Sequence, residues 1–170
     1  DFHLEDSLGR TWQCGTIQLD FQMPLNFELE YVDEHGEKQR PIMIHRVCFG
    51  SIERFIGIIT EHYAGKFPAW LAPVQAKVLL VSEKSAEYGE EVFAALKKAG
   101  IRCEMDSRNE KIGYMIREAQ SVDRIPYMLI IGQKEIEEKT VSVRSRDTNQ
   151  TETMSLDEFI AKLSKESEIF

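Results

Sequence analysis

The sequence predicts an α/β protein: a C-terminal mixed β-sheet with flanking helices, preceded by antiparallel hairpins and one amphipathic helix. Three observations predict it. Up to His45, apolar and polar residues alternate with period two around glycine-centred turns. From Ala76 onward, short apolar runs alternate with stretches of three- and four-residue periodicity. Between them, Gly65-Lys66-Phe67-Pro68-Ala69-Trp70-Leu71-Ala72-Pro73 holds two prolines and a glycine, which stop a helix and favour an extended connection. That stretch is apolar, so it is expected to pack rather than swing. The chain on this reading divides into residues 1–73 and 74–170.

In chain order, Phe2–Glu5 and Thr11–Phe21 flank a Ser7-Leu8-Gly9-Arg10 turn and read as a first hairpin. Phe27–Val32 and Pro41–His45 flank a loop with His35-Gly36 and read as a second. Ser51 to about Tyr63 is a helix whose Ile52, Phe55, Ile56 and Ile59 form one apolar stripe. Ala76–Val81 is a buried strand. Ser85–Ala99 is a helix with Ser85 as N-cap and Gly100 as its stop, turning Tyr88, Val92, Ala95, Leu96 and Ala99 inward. A strand over Ile101–Met105 and a helix over Glu110–Ser121 follow, with Ile112, Met115 and Ile116 inward. Tyr127–Ile131 is a third strand, between Pro126 and Gly132. Thr140–Arg144 alternates as a more exposed strand. Leu156–Leu163 closes the chain as a helix begun by Ser155, with Glu158 at capping-box spacing.

Composition narrows the class. Hydrophobic residues at 42% and charged residues at 29% suit a folded protein. No run approaches the length of a membrane span, so no membrane partner is expected. No targeting signal opens the chain, and its start at Asp1 reads as a cut from a longer polypeptide. Cys14, Cys48 and Cys103 are odd in number and widely spaced, against a disulfide framework and toward a reducing cytoplasm. The net charge of −8 has the wrong sign for a generic nucleic-acid binder. Its distribution matters more. Residues 1–73 carry 6 basic against 11 acidic residues, residues 74–146 carry 13 against 12, and residues 147–170 carry 2 against 6. Any RNA contact is expected in the middle block, local and specific.

The most informative stretch runs from Ile44 to Gly57. An apolar strand ends in His45-Arg46, turns at Gly50, and enters a helix opening with Ser51 and Glu53-Arg54. One imidazole, one hydroxyl and one guanidinium thus surround one corner. Such a corner suits a nucleoside triphosphate, because a guanidinium fork matches phosphate oxygens in pairs and a helix start adds N–H groups.

These words resemble motif 3 of class II aminoacyl-tRNA synthetases, and the threonyl-tRNA synthetases in particular. The resemblance extends over DFHLEDSLGRTWQCGTIQLDFQMP at 1–24, PIMIHRVCFGSIERFIGIITE at 41–61, FPAWLAPVQ at 67–75, RNEKIGYMIREA at 108–119 and PYMLIIGQKE at 126–135. It implies that residues 1–73 are the end of an incomplete class II catalytic domain and residues 74–170 a class II anticodon-binding domain. The parent activity implied is ATP-dependent attachment of threonine to its tRNA through threonyl-adenylate. The family is dimeric through motif 1 surfaces missing here, so this chain alone is expected to be a monomer. Motifs 1 and 2 are also needed for catalysis, so the 170 residues alone are expected to be inactive.

The resemblance assigns roles residue by residue. Arg54 matches the motif 3 arginine that contacts ATP phosphates, and Ser51 a substrate-site hydroxyl that otherwise reads as a helix N-cap. Gln18 and Gln13 match amides on the threonine and adenylate sides of the pocket. Five apart on a regular strand, they face opposite ways unless a twist or bulge near Gly15 intervenes. His45 matches one of three zinc ligands, with the others upstream of Asp1, so the chain alone is not expected to hold zinc tightly. Asn109, Glu135 and Arg144 match anticodon-reading residues, types that can pair with base edges or stack on an unpaired base. Lys111 and Arg146, by charge alone, are placed as phosphate contacts. The competing reading is a non-enzymatic docking or accessory module, consistent with the acidic balance. A small-molecule site after Val81 is disfavoured, since Ser82-Glu83-Lys84-Ser85 lacks the glycines that let a backbone approach phosphate.

Overall fold

The computed structural model describes residues 1–168, in two compact units, Asp1–Tyr63 and Ala64 onward. In the first unit β1 (Phe2–Glu5) and β2 (Thr11–Asp20) form the expected hairpin. Its turn is held by Asp6, whose carboxylate accepts from Arg10 and from the Trp12 indole N–H at 2.9 Å. A short helix α1 (Gln22–Asn26) follows, then β3 (Tyr31–Val32) and β4 (Lys38–Gln39), which pair only with each other. β5 (Met43–Val47) pairs antiparallel with β2, giving a sheet of order β1-β2-β5. The second hairpin expected from the sequence is therefore corrected. Its second strand joins the longer β2, whose ten residues offer a free edge beyond β1, in preference to the short Tyr31–Val32 ladder.

Helix α2 (Ile52–His62) is capped by Ser51, whose hydroxyl accepts from the Arg54 N–H. Phe55, Ile58 and Ile59 line a shared cavity of about 290 Å³ with Leu4 and Trp12. Ile52 and Ile56, expected inward, are exposed, because three strands are too narrow to cover the whole stripe.

The second unit is built on a five-stranded mixed sheet of order β10-β9-β8-β6-β7. β6 (Ala76–Leu80) lies parallel between β7 (Cys103–Asp106) and β8 (Tyr127–Ile131); β9 (Thr140–Ser145) and β10 (Thr151–Ser155) continue antiparallel. One face carries Val78, Leu129, Ile131, Val141 and Val143, packed with Val92 and Leu96 of α3 (Ala86–Lys98) and with Phe159 and Leu163 of α6 (Leu156–Ser167). The other face carries Leu79 and Met128 under Met115 and Ala119; this helix is α4 (Ile112–Arg117) continued by a π turn. A short helix α5 (Gln133–Glu138) joins β8 to β9.

Ala99, expected inward, is exposed where α3 ends, and two further details differ from the sequence expectation. Ser85 is not a side-chain cap: it ends a 3₁₀ turn over Glu83–Ser85, and its hydroxyl is buried without a partner. The strand from Thr140 is not an exposed one, since Val141 and Val143 are buried. β10, not read from the sequence, takes the sheet edge and α6 covers the face. The capping box at Ser155 and Glu158 forms as expected.

The Gly65–Pro73 stretch packs by having its carbonyls held by side chains. Arg146, itself buried, donates to Phe67 O at 3.0 Å and to Arg124 O at 2.7 Å. Gln75 donates to Ala69 O at 2.9 Å, and Arg102 to Trp70 O and Ala72 O, each at 2.9 Å. A polypeptide stretch with no strand partner leaves carbonyls that must be paired when buried. These long donors do so.

Candidate functional site

The corner after β5 is a tight one. Gly50 adopts φ +66°, and a Cβ there would lie 2.8 Å from Nη2 of Arg54. The same guanidinium nitrogen donates to the backbone carbonyl of Gln13 at 3.0 Å, so the start of α2 is tied to β2. Ser51 donates to Glu53 at 2.7 Å, and Phe49 stacks on Phe55 with ring centroids 4.5 Å apart. Arg54, Ser51, Gln13 and Gln18 are all exposed.

β2 contains the irregularity that the two glutamines require. Phe2 lies opposite Gly15 while His3 lies opposite Gln13, so Cys14 is an extra residue in the ladder. A one-residue bulge shifts the alternation by one. Gln13 and Gln18, five apart, therefore share a face. His45 lies directly opposite Gln18 on β5, and opposed residues of an antiparallel pair project to the same side. Trp12 and Leu4, opposed on the other side, form the seat of α2.

His45 Nε2 is 2.9 Å from Oδ2 of Asp20, a residue the sequence reading passed over. Asp20 also accepts from the N–H groups of Gln22 and Met23 through Oδ1, at 2.8 and 2.9 Å. The Met23 N–H, then the His45 ring, hold its carboxyl below the ordinary range. An acid closing a strand two residues before a helix was the signal available in Leu19-Asp20-Phe21. With Nε2 engaged, Nδ1 of His45 is the ring nitrogen left over, which fits one position of a metal's coordination shell. It fits no more than one: among the described residues no three His, Cys, Asp or Glu side chains gather to hold a metal.

In the second unit, Glu135 and Arg144 flank Ser142 on the sheet face away from α3 and α6. Glu135 Oε1 accepts from Ser142 Oγ at 2.7 Å, and Oε2 from the Gly132 N–H at 2.9 Å. Burial acts to raise the Glu135 carboxyl, but these hydrogen bonds outweigh it and hold it below the ordinary range. Arg144 donates through Nη2 to Asn149 Oδ1 at 3.3 Å, while its Nε is buried with no partner. Ser142 and Asn149 were not read from the sequence; small polar residues in a strand and a turn carry no distinguishing signal there.

Asn109 is exposed in the loop after β7. Strand order puts β7 three places from β9, about 14 Å at ~4.8 Å per strand. Arg146 corrects the phosphate expectation. Its guanidinium is spent on Phe67, Arg124 and Asp147, so it has no donor fork to offer a phosphate. Lys111 is exposed at the start of α4.

Comparison with known proteins gives two family matches, "tRNA synthetase class II core domain (G, H, P, S and T)" over residues 1–63 and "Anticodon binding domain" over residues 71–166. A threonine–tRNA ligase of Caldanaerobacter subterraneus is 64% identical over 166 residues, and one of Clostridioides difficile 61% identical over 168. These alignments cover 98% and 99% of the chain but 26% of each relative, so the chain spans about a quarter of their length. The RNA binding domain of a Cryptosporidium parvum threonyl-tRNA synthetase superposes with TM-score 0.88 at 44% identity, covering 96% of this chain and 41% of that one. A prolyl-tRNA synthetase of the same organism gives 0.70 at 27%, covering 92% and 34%. The chain belongs to the threonyl-tRNA synthetase family, of which residues 1–63 are the tail of the class II core domain and residues 71–166 the anticodon binding domain.

Proposed function

We propose that the chain is the C-terminal working part of a threonine–tRNA ligase, acting in the cytoplasm on threonine, ATP and threonine tRNA within a homodimeric parent. The observation that carries this is the joint match of both units, in order, to ligases of that name at up to 64% identity. The functional division falls within the Gly65–Pro73 stretch, with core-domain roles before it and RNA reading after it.

In this reading Arg54, with Ser51 at the same helix start, binds ATP phosphates. A guanidinium anchored on one side by Gln13 O keeps donors for the other, and positioning with charge stabilisation is what adenylate formation asks of a protein. Gln13 and Gln18 meet the adenylate and the threonine on the face they share. His45 is one zinc ligand in the intact protein; zinc bound there would hold the amino group and hydroxyl of threonine together. The chain alone performs no aminoacylation and holds no zinc tightly.

Asn109, Glu135 and Arg144 read the anticodon loop. Their spread along the sheet suits several unstacked bases, each at its own position. A carboxylate fixed by Ser142 and Gly132 is an acceptor and selects a base edge rich in N–H donors; Arg144 can pair or stack. The test is binding of the threonine tRNA anticodon stem-loop beside one with altered anticodon, at a single moderate salt concentration. Preference for the cognate loop, lost in Arg144→Ala and Asn109→Ala, supports the reading. Equal binding of both loops, unchanged by either substitution, overturns it in favour of a docking module.

A further inference from the structure

We propose that Asp20 is a positioning residue for His45: its carboxylate takes the Nε2 proton and so fixes Nδ1 as the ring nitrogen with a free lone pair. The inference rests on the reading of His45 as a metal ligand and adds to it the residue that sets its tautomer.

A neutral imidazole carries one proton, and whichever nitrogen donates leaves the other as the acceptor or ligand. Nε2 of His45 stands 2.9 Å from Oδ2 of Asp20, and a carboxylate accepts. The proton therefore sits on Nε2. Asp20 is itself fixed, since Oδ1 accepts two backbone N–H groups at the start of α1 and leaves Oδ2 for the ring. The pair crosses from β2 to β5 on the diagonal: Asp20 faces Met43, and His45 faces Gln18. Both residues are partly shielded from solvent, the His45 side chain at 41% exposure and that of Asp20 at 23%. Water competes less with such a bond than on an open surface. The carboxylate, the imidazole and the two glutamines occupy one sheet face. The ring orientation is thus set by the strand register and a helix start before any metal arrives.

Two measurements test this. In the 170-residue chain labelled with ¹⁵N-histidine, His45 is expected as a single Nε2–H tautomer. A proton on Nδ1, or averaged ring signals, overturns the proposal. In the intact protein, zinc dissociation is followed with a chromogenic chelator for the wild type, His45→Ala, Asp20→Asn and Asp20→Glu. Asp20→Asn keeps an oxygen for the Gln22 and Met23 N–H groups, so its melting midpoint reports whether α1 stays capped. Loss of zinc affinity by about 10- to 100-fold in Asp20→Asn at an unchanged midpoint, with partial recovery in Asp20→Glu, supports the proposal. His45→Ala losing zinc while Asp20→Asn retains it overturns the positioning role and leaves the ligand reading standing. Unchanged affinity in His45→Ala overturns the ligand reading itself, and the positioning role with it.

Discussion

Nη2 of Arg54 donates to the backbone carbonyl of Gln13 at 3.0 Å, across 41 residues of sequence. The bond links the first turn of α2 to the bulged part of β2 beside the glutamine proposed for the adenylate side. It leaves the guanidinium exposed and aimed by the backbone, with no carboxylate partner among the described residues. A phosphate-binding arginine needs that arrangement, because a carboxylate would compete with phosphate for the same fork.

Replacing Arg54 by Ala in the intact protein is expected to lower ATP-dependent threonyl-adenylate formation by about a hundredfold. The melting midpoint should change little, since one exposed hydrogen bond is removed. Pyrophosphate exchange and a thermal melt, taken on the same sample, check both halves.

Arg146 is the opposite kind of arginine. Arg146→Ala removes the donors to Phe67 O and Arg124 O and leaves the Asp147 carboxylate without its fork. A loss of about 3 kcal/mol is expected from the stability of the second unit, as for charged hydrogen bonds to buried carbonyls. Urea unfolding of residues 64–170 measures it. No change in stability would mean that water replaces the guanidinium at no cost.

Acid should weaken the same unit. The Arg108 guanidinium, bonded to Asp106 at 2.9 and 2.5 Å, holds that carboxyl below its ordinary range. Arg146 does the same for Asp147. A carboxyl depressed in the folded state contributes stability that is complete above its unfolded pKa of about 3.9. That contribution is lost as pH falls from there through the folded value. Urea midpoints are therefore expected to be flat near neutrality and to drop below about pH 4. Arg108→Gln should flatten that drop. An unaltered acid limb would show that Asp106 gains nothing from the pairing.

Ser155→Ala removes the side-chain acceptor for the Glu158 N–H at the start of α6 and half of a capping box. The expected cost is about 1 kcal/mol. Ser85→Ala, by contrast, removes a buried hydroxyl that has no partner, and is expected to be neutral or mildly stabilising. Comparing the two denaturation midpoints separates a real cap from an apparent one at the same residue type.

Most strands and helices were legible in the sequence because their signals are local. Tyr127–Ile131 stands between Pro126 and Gly132 as an unbroken apolar run, and Ser155 with Glu158 announces α6. The corner from His45 to Arg54 was legible too, since strand, glycine turn and helix cap lie within ten residues of sequence. What the sequence did not determine depended on partners distant along the chain. β5 chose β2 over the nearer Tyr31–Val32, because pairing is settled by which long edge is free. Thr140–Ser145 became an interior strand only once β10 closed the edge beside it. Charge alone marked Arg146 for phosphate, and tertiary structure gave it instead to the backbone carbonyl of Phe67, 79 residues away. Alternation by itself put Gln13 and Gln18 on opposite faces; the extra residue at Cys14, visible only in the ladder with β1, brings them together. Residue type and local pattern are written in the chain. Register, edge and the pairing of buried polar groups are decided by the fold, since each is a relation between segments that only folding brings into contact.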